Sequence, residues 1–309
     1  MPTLALALAV MPGALADMEE HWAYGVSKNG GWSDFNKLYD HDSLLCWAAS
    51  SSNLINWWQN YNPDLTAQTN APTEEGIWSM YRESFKNVPG EVESSLKWYF
   101  YSWEDDGEEE GEGDDEEDFS EWMKDALTDI GRTNGGYFDV VSDGAFPEIE
   151  CGSPLNYGES GLTQFAADFC RYLDGGYGFS ITIRNPEEDS YHALTLWGAE
   201  YDTESQLLTR LWLTDSDDVL FEGENEEQLI SVTLDYRETE GSDVPLMYLV
   251  SDYVREDGAR WYDGKEYWCD LTAIALYPNP LPEPAVAALF LPALAALSTR
   301  RRRKTKEDV

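Results

Sequence analysis

The residues best equipped for covalent chemistry are Cys46, His192 and Asp215. Cys46 stands in Asp40-His41-Asp42-Ser43-Leu44-Leu45-Cys46-Trp47-Ala48-Ala49-Ser50. Ser43 is expected to cap a helix running to about Gln59, which makes Cys46 the third helical residue. In that first turn, unpaired backbone N–H groups and the positive helix end favour the thiolate, the nucleophilic form of cysteine. The neighbouring Asp40 and Asp42 act against it. Of the three histidines, His21 and His41 lie near the start of the chain and before the helix, whereas His192 opens the predicted strand Tyr191 to Trp197. The next predicted strand, Leu207 to Thr214, runs into Asp215-Ser216-Asp217-Asp218. A hairpin turning at Asp202 to Gln206, centred between Thr203 and Glu204, places Asp215 directly across from His192, about 5 Å between Cβ atoms. Asp217 is then the diagonal neighbour. A carboxylate so placed orients an imidazole, and a Cys-His-Asp set performs nucleophilic acyl transfer. Singly, each residue has an ordinary reading: a free cysteine is commonly buried core, a strand histidine is commonly structural, and an aspartate cluster commonly marks a turn.

The elements that must position this set change character along the chain. Leu44 to Gln59 and Glu75 to Phe85 carry helical periodicity, with Trp57, Trp58 and Trp78 as candidate core residues. Phe119 to Ile130 is a further short helical stretch, with Phe119, Trp122, Met123 and Leu127 in register. Gly161 to Leu173 is another, with Phe165, Phe169 and Leu173. From Gly176 onward the pattern becomes β: Tyr177 to Ile183, Tyr191 to Trp197, Leu207 to Thr214, Leu229 to Leu234, Leu246 to Val250 and Leu271 to Tyr277. Helices followed by a mostly antiparallel sheet make an α+β protein, with no βαβ alternation, no glycine-rich nucleotide loop and no internal repeat.

Leu44-Leu45-Cys46-Trp47-Ala48-Ala49 with Asn53-Leu54-Ile55-Asn56-Trp57-Trp58 resembles the nucleophile helix of the immunoglobulin-G-degrading cysteine proteases, a papain-like family. Gly31-Trp32-Ser33-Asp34-Phe35-Asn36-Lys37 matches upstream. His192 through Trp197-Gly198-Ala199-Glu200-Tyr201-Asp202 to Thr214-Asp215-Ser216-Asp217 matches downstream. The resemblance spans about Trp22 to Tyr277 and implies a papain-like fold with the nucleophile helix packed on the sheet. It implies Cys46 as nucleophile, His192 as general base and then acid, Asp215 as its orienter and Asp217 as a second functional aspartate. Lys37 would line the oxyanion hole with the backbone N–H of Cys46, where a cation stabilises developing negative charge. The implied protein substrate is the immunoglobulin heavy chain, cut without metal or cofactor. Two features depart from the family: Lys37 lies one residue closer to the cysteine, and Trp47 follows the nucleophile where a small residue is usual. The rival functions are a transglutaminase-like acyltransferase using the same triad and a non-catalytic binding protein on a protease-like scaffold.

The chain has 309 residues, enough for a substantial core, and 60 Asp plus Glu against 20 Lys plus Arg give a formal charge of −40. That charge repels nucleic acid and anionic lipid, so a nucleic-acid partner is not expected. Hydrophobic residues at 42% and 13 tryptophans separate it from disordered acidic chains. Glu104 to Asp118 holds twelve acidic residues and three glycines, and is expected to be a solvated, disordered insertion lacking the EF-hand ligand pattern. Without it, 48 acidic against 20 basic residues still leave −28.

Residues 1–16, with the apolar run Leu4 to Val10 and the small-x-small site Ala14-Leu15-Ala16, read as a signal peptide. Residues 17–278 then form the peptidase domain. Residues 279–309 carry Pro282-Glu283-Pro284, apolar Ala285 to Leu297 and the basic run Arg300 to Lys304. This tail resembles the Pro-Glu-Pro sorting signal of Gram-negative envelope proteins. It implies export to the cell envelope or beyond, a sorting machinery as partner, and membrane contact through the tail alone. Cys46, Cys151, Cys170 and Cys269 form no C-x-x-C pair, which with three histidines argues against zinc; a Cys151–Cys170 disulfide is expected.

Overall fold

The computed structural model describes residues 17–63, 66, 72, 74–100, 125–128, 149–152, 161–185, 190–217, 229–237, 246–250 and 267–276. The expected signal peptide, the acidic segment and the sorting tail lie outside them. No helix among the described residues is long and apolar enough to cross a membrane.

Helix α1 (Cys46–Tyr61) is buried on every side from Trp47 to Gln59. Its polar positions are short side chains that find partners within the structure: Ser51 and Ser52 bond back to the carbonyls of Trp47 and Ala48, at 2.8 Å each. A helix of this composition can serve as the centre of a fold, because neither an apolar stripe nor a charged face commits it to a surface. Helices α2 (Glu74–Ser84) and α3 (Val92–Phe100) pack on one side of it through Trp47, Trp58, Tyr81, Phe85, Trp98 and Phe100. The predicted helix over 119–130 falls partly outside the described residues. Its visible part stops early, since Leu127 pairs with Phe85 in a β-bridge, with Lys86 N–H donating to the Ala126 carbonyl at 2.7 Å.

On the other side of α1 lies an antiparallel sheet, so the molecule is α+β as expected. Its strands are β1 (Met18–Trp22), β2 (Ile149–Gly152), β3 (Gly178–Asn185), β4 (Ser190–Asp202), β5 (Leu207–Thr214), β6 (Ile230–Arg237), β7 (Leu246–Val250) and β8 (Tyr267–Leu276). Strands β3 to β8 each pair with the next, and β8 returns to β3, so six antiparallel strands close a ring. Closure removes the exposed backbone edges that an open sheet would carry. Strand β1 lies along the later half of β4, and β2 along the later half of β8. Neither was anticipated from the sequence; Met-Glu-Glu-His-Trp has no alternating pattern and takes strand form from its β4 partner. Helix α4 (Gly161–Asp174) covers the ring, with the Phe169 ring centroid 4.5 Å from that of Phe179 and tilted to it by 35°.

Cys170, on α4, is a free and buried thiol, so the expected bridge to Cys151 is not formed. Burial, with Asp174 and Glu19 nearby, pushes its pKa up to about 12, which makes it an inert core residue.

Helix and barrel are joined by one buried amide. Asn53 Nδ2 donates to Thr195 Oγ1 on β4 at 2.9 Å and to Thr214 Oγ1 on β5 at 3.3 Å. Its Oδ1 accepts the Phe35 N–H at 2.8 Å. Thr214 Oγ1 in turn donates to the Ser33 carbonyl and accepts the Trp197 indole N–H, both at 3.0 Å. Truncating Asn53 strands several buried polar groups at once, each costing about 1–3 kcal/mol. We therefore expect Asn53→Ala to lower unfolding free energy by about 2–4 kcal/mol in urea denaturation; a loss under about 0.5 kcal/mol, the range of ordinary surface substitutions, would show that the amide is not the joint.

Candidate active site

Helix α1 starts two residues later than Ser43 would dictate. Its first residue is Cys46, and Leu45 precedes it without any side-chain cap. Ser43 is occupied elsewhere: its Oγ accepts Asn87 Nδ2 and its carbonyl accepts Lys37 Nζ, both at 3.0 Å. The thiol therefore sits at the helix terminus itself, where the leading N–H groups have no intrahelical acceptor. The two acidic residues that should oppose a thiolate are neutralised. Asp42 is fully buried, and its carboxylate accepts the N–H groups of Leu38 and Tyr39 and the Arg82 guanidinium. Asp40 pairs with the same arginine.

The hairpin of β4 and β5 closes through a loop of Thr203 to Gln206, with Gln206 at positive φ and bulges at Leu196/Gly198 and Glu200/Tyr201. Thr195 faces Thr214, so the register differs by two residues from the expected one. Asp215 is not directly opposite His192; continuing the register sets it across from Leu194, with His192 as the diagonal neighbour. A slip of two residues keeps every side chain on its face, whereas a slip of one would have parted the pair. His192 Nε2 still reaches Asp215 Oδ1, at 2.7 Å. The carboxylate can only accept, so Nε2 carries the proton and Nδ1 is left for the thiol.

The sequence-predicted residues are all brought together. Cys46 lies close enough to His192 for each to shift the other's ionisation. Asp215, with no exposure, also accepts the Asp217 N–H at 2.8 Å. Asp217 Oδ2 lies 3.9 Å from His192 Nε2, and its other oxygen forms an ion pair with Lys37. Lys37 is buried, and its N–H donates to the Ser216 carbonyl at 2.9 Å, which ties the lysine strand to the aspartate turn. The lysine of the expected oxyanion hole is thus one half of an ion pair, close enough to Cys46 for its charge to favour the thiolate.

Burial works against ionising Cys46, but the hydrogen bond and charge of His192, then the charge of Lys37, outweigh it and lower the thiol below its ordinary pKa. Burial likewise opposes a charged His192, yet Asp215 and Asp217 hold the imidazolium well above the ordinary range. Burial raises Asp215 despite His192's pull. Asp217 is lowered, with His192 and Lys37 overcoming its burial. The resting state these shifts describe is a thiolate–imidazolium pair.

Tyr39, Asp42 and Arg82 were not singled out as site residues. Tyr39 lies two residues after Lys37 and carries a positive φ of 58°, a conformation a sequence pattern does not announce for tyrosine. Among the described residues, the three ligand atoms close enough to hold a metal, within 4.8 Å, belong to His192, Asp215 and Asp217. In this structure they are bonded to one another and to Lys37. No protein-family model matches the chain, and no curated protein is significantly similar to it.

A lowered thiol and a raised imidazole leave the ion pair intact across the pH interval between them. At pH 6 an ordinary thiol is under about 1% thiolate. Cys46 should alkylate with iodoacetamide several-fold faster than free cysteine there, and in His192→Ala the rate should collapse and its pH profile move upward, since the largest opposition to burial is then gone and Lys37 alone supplies a favourable charge. An unchanged profile in His192→Ala would remove His192 as the cause.

Proposed function

We propose that the protein is an exported cysteine endopeptidase of papain-like architecture. The observation that carries this reading is the grouping of the Cys46 thiol, at an uncapped helix terminus, with His192 and the buried Asp215 to which His192 is hydrogen-bonded. The buried central helix packed on a closed antiparallel sheet, with Cys46 on one and His192 on the other, supports a papain-like reading. The sequence resemblance to IgG-degrading proteases supports the same reading and suggests immunoglobulin heavy chain as the substrate. Export rests on the apolar leader and the Pro-Glu-Pro tail.

In this mechanism Cys46 Sγ attacks the scissile carbonyl carbon, forming the C–S bond and an oxyanion. The Cys46 N–H and the positive potential of Lys37 stabilise that charge as it develops. The His192 imidazolium gives its proton to the departing amine as the C–N bond breaks, leaving a thioester. Water, deprotonated by His192, then attacks the thioester and releases the acid and the thiol. Asp215 keeps the ring oriented and stabilises its charged form throughout.

Incubation of intact IgG, beside a panel of folded secreted glycoproteins, with the chain from Asp17 to Tyr277 tests this. Mass spectrometry should find a discrete cut that Cys46→Ala abolishes. A Cys46-dependent cut in another protein would keep the chemistry and discard the immunoglobulin. Amine incorporation without chain cleavage would reassign the triad to acyl transfer.

A further inference from the structure

The segment from Lys37 to Leu45 is held in a shape its own residues disfavour. Tyr39 and His41 both adopt positive φ, 58° and 108°, where residues other than glycine are strained. Such conformations persist when surroundings over-determine them. Here the determinant is Asp42: Oδ1 accepts the Tyr39 N–H at 2.7 Å, Oδ2 accepts the Leu38 N–H at 3.0 Å, and Arg82 Nε on α2 donates to Oδ2 at 3.0 Å. The result of this clamp is the placement of the Tyr39 ring. The ring carries Lys37 Nζ on its face, 5.3 Å from the centroid. Its hydroxyl is buried and faces the Asp217 carboxylate outside regular hydrogen-bond geometry, with Asp215 and Asp42 beyond. One side chain thus lies over Lys37 and next to its partner Asp217.

We propose that Tyr39 is a positioning residue, clamped by Asp42 and Arg82, that excludes water from the Lys37–Asp217 pair and so holds Lys37 where its charge serves the Cys46 thiolate and the oxyanion. The proposal rests on the cysteine-protease reading of the site. Exposed ion pairs contribute little, while shielded ones act at lower effective dielectric. A tyrosine face adds a cation–π attraction that keeps the ammonium from turning outward. The strain at Tyr39 then has a consequence: the backbone is set in the left-handed region so that the ring lies over the pair.

Tyr39→Gly separates this role from a structural one. Glycine accepts positive φ without cost, so a tyrosine serving only the loop would be replaced with unchanged or higher melting temperature and unchanged kinetics. The proposal expects the melting temperature to hold while kcat falls about tenfold, as for a misplaced catalytic group, with KM changed less than about twofold. It also expects iodoacetamide alkylation of Cys46 to slow about threefold, matching a partial loss of electrostatic support. Tyr39→Phe, which keeps the ring over Lys37, should recover most of both rates. Arg82→Lys, which loses the guanidinium fork, should reproduce the alkylation defect in part. Alkylation at the wild-type rate in Tyr39→Gly, with a folded protein by circular dichroism, would overturn the proposal. The alkylation readout needs no substrate. If no protein in the panel is cut but Tyr39→Gly still slows alkylation, the endopeptidase reading fails and the positioning role stands.

Discussion

Everything in the site depends on holding a helix terminus against a strand end at one distance, and Asn53 supplies that constraint. It lies seven residues after Cys46, two turns along the same helix and so on the same face. Its amide bonds to Thr195, three residues after His192, and to Thr214, the residue before Asp215. Its carbonyl oxygen holds Phe35, two residues before Lys37. Cys46, His192, Asp215 and Lys37 therefore hang from four segments joined at one side chain. Because these partners are buried, a displacement of any segment leaves unpaired polar groups in a low-dielectric interior. The closed ring adds stiffness, since a strand that pairs on both sides cannot slide without breaking two ladders.

The electrostatics follow from the same burial. An acidic chain offers the thiolate a poor environment, and the site answers with local compensation. Arg82 and two backbone N–H groups absorb Asp42, Asp40 shares Arg82, and Lys37 is paired with Asp217 beside the histidine. What remains for Cys46 is the imidazolium, the nearby lysine and the helix terminus. Net charge sets the long-range field, but a buried pair responds to neighbours within a few ångströms. An overall charge of −40 and a stabilised thiolate are therefore compatible.

Much of this arrangement was legible in the residues. The α+β order, the strand Leu207–Thr214, the strand Leu246–Val250 and a helix over Gly161–Leu173 follow from periodicity, because apolar spacing reports which face a segment must bury. The encounter of Cys46, His192 and Asp215 was readable too, although the register was not. The loop sets the pairing two residues off already at Asp202 and Leu207, the two bulges cancel each other, and only the evenness of that shift preserved the contact. Ser43 was misread as a cap because capping chemistry is local, whereas its hydroxyl and carbonyl were claimed by Asn87 and Lys37 from elsewhere. The Cys151–Cys170 bridge failed similarly: cysteine spacing carries no information about which thiol the core encloses.

By itself the sequence determined the α+β order and most of the longer elements, the residue types Cys46, His192 and Asp215, and the acidity of the chain, all properties carried by residue identity and short-range period, while strands β1 and β2 and helix α3 escaped it. Tertiary structure decided which neighbour each polar group met. It made Cys46 the first helical residue, joined Lys37 to Asp217, turned Tyr39 over that pair and closed six strands into a ring. Hydrogen bonds and ion pairs between residues far apart in sequence depend on how segments pack, and no local pattern encodes that packing.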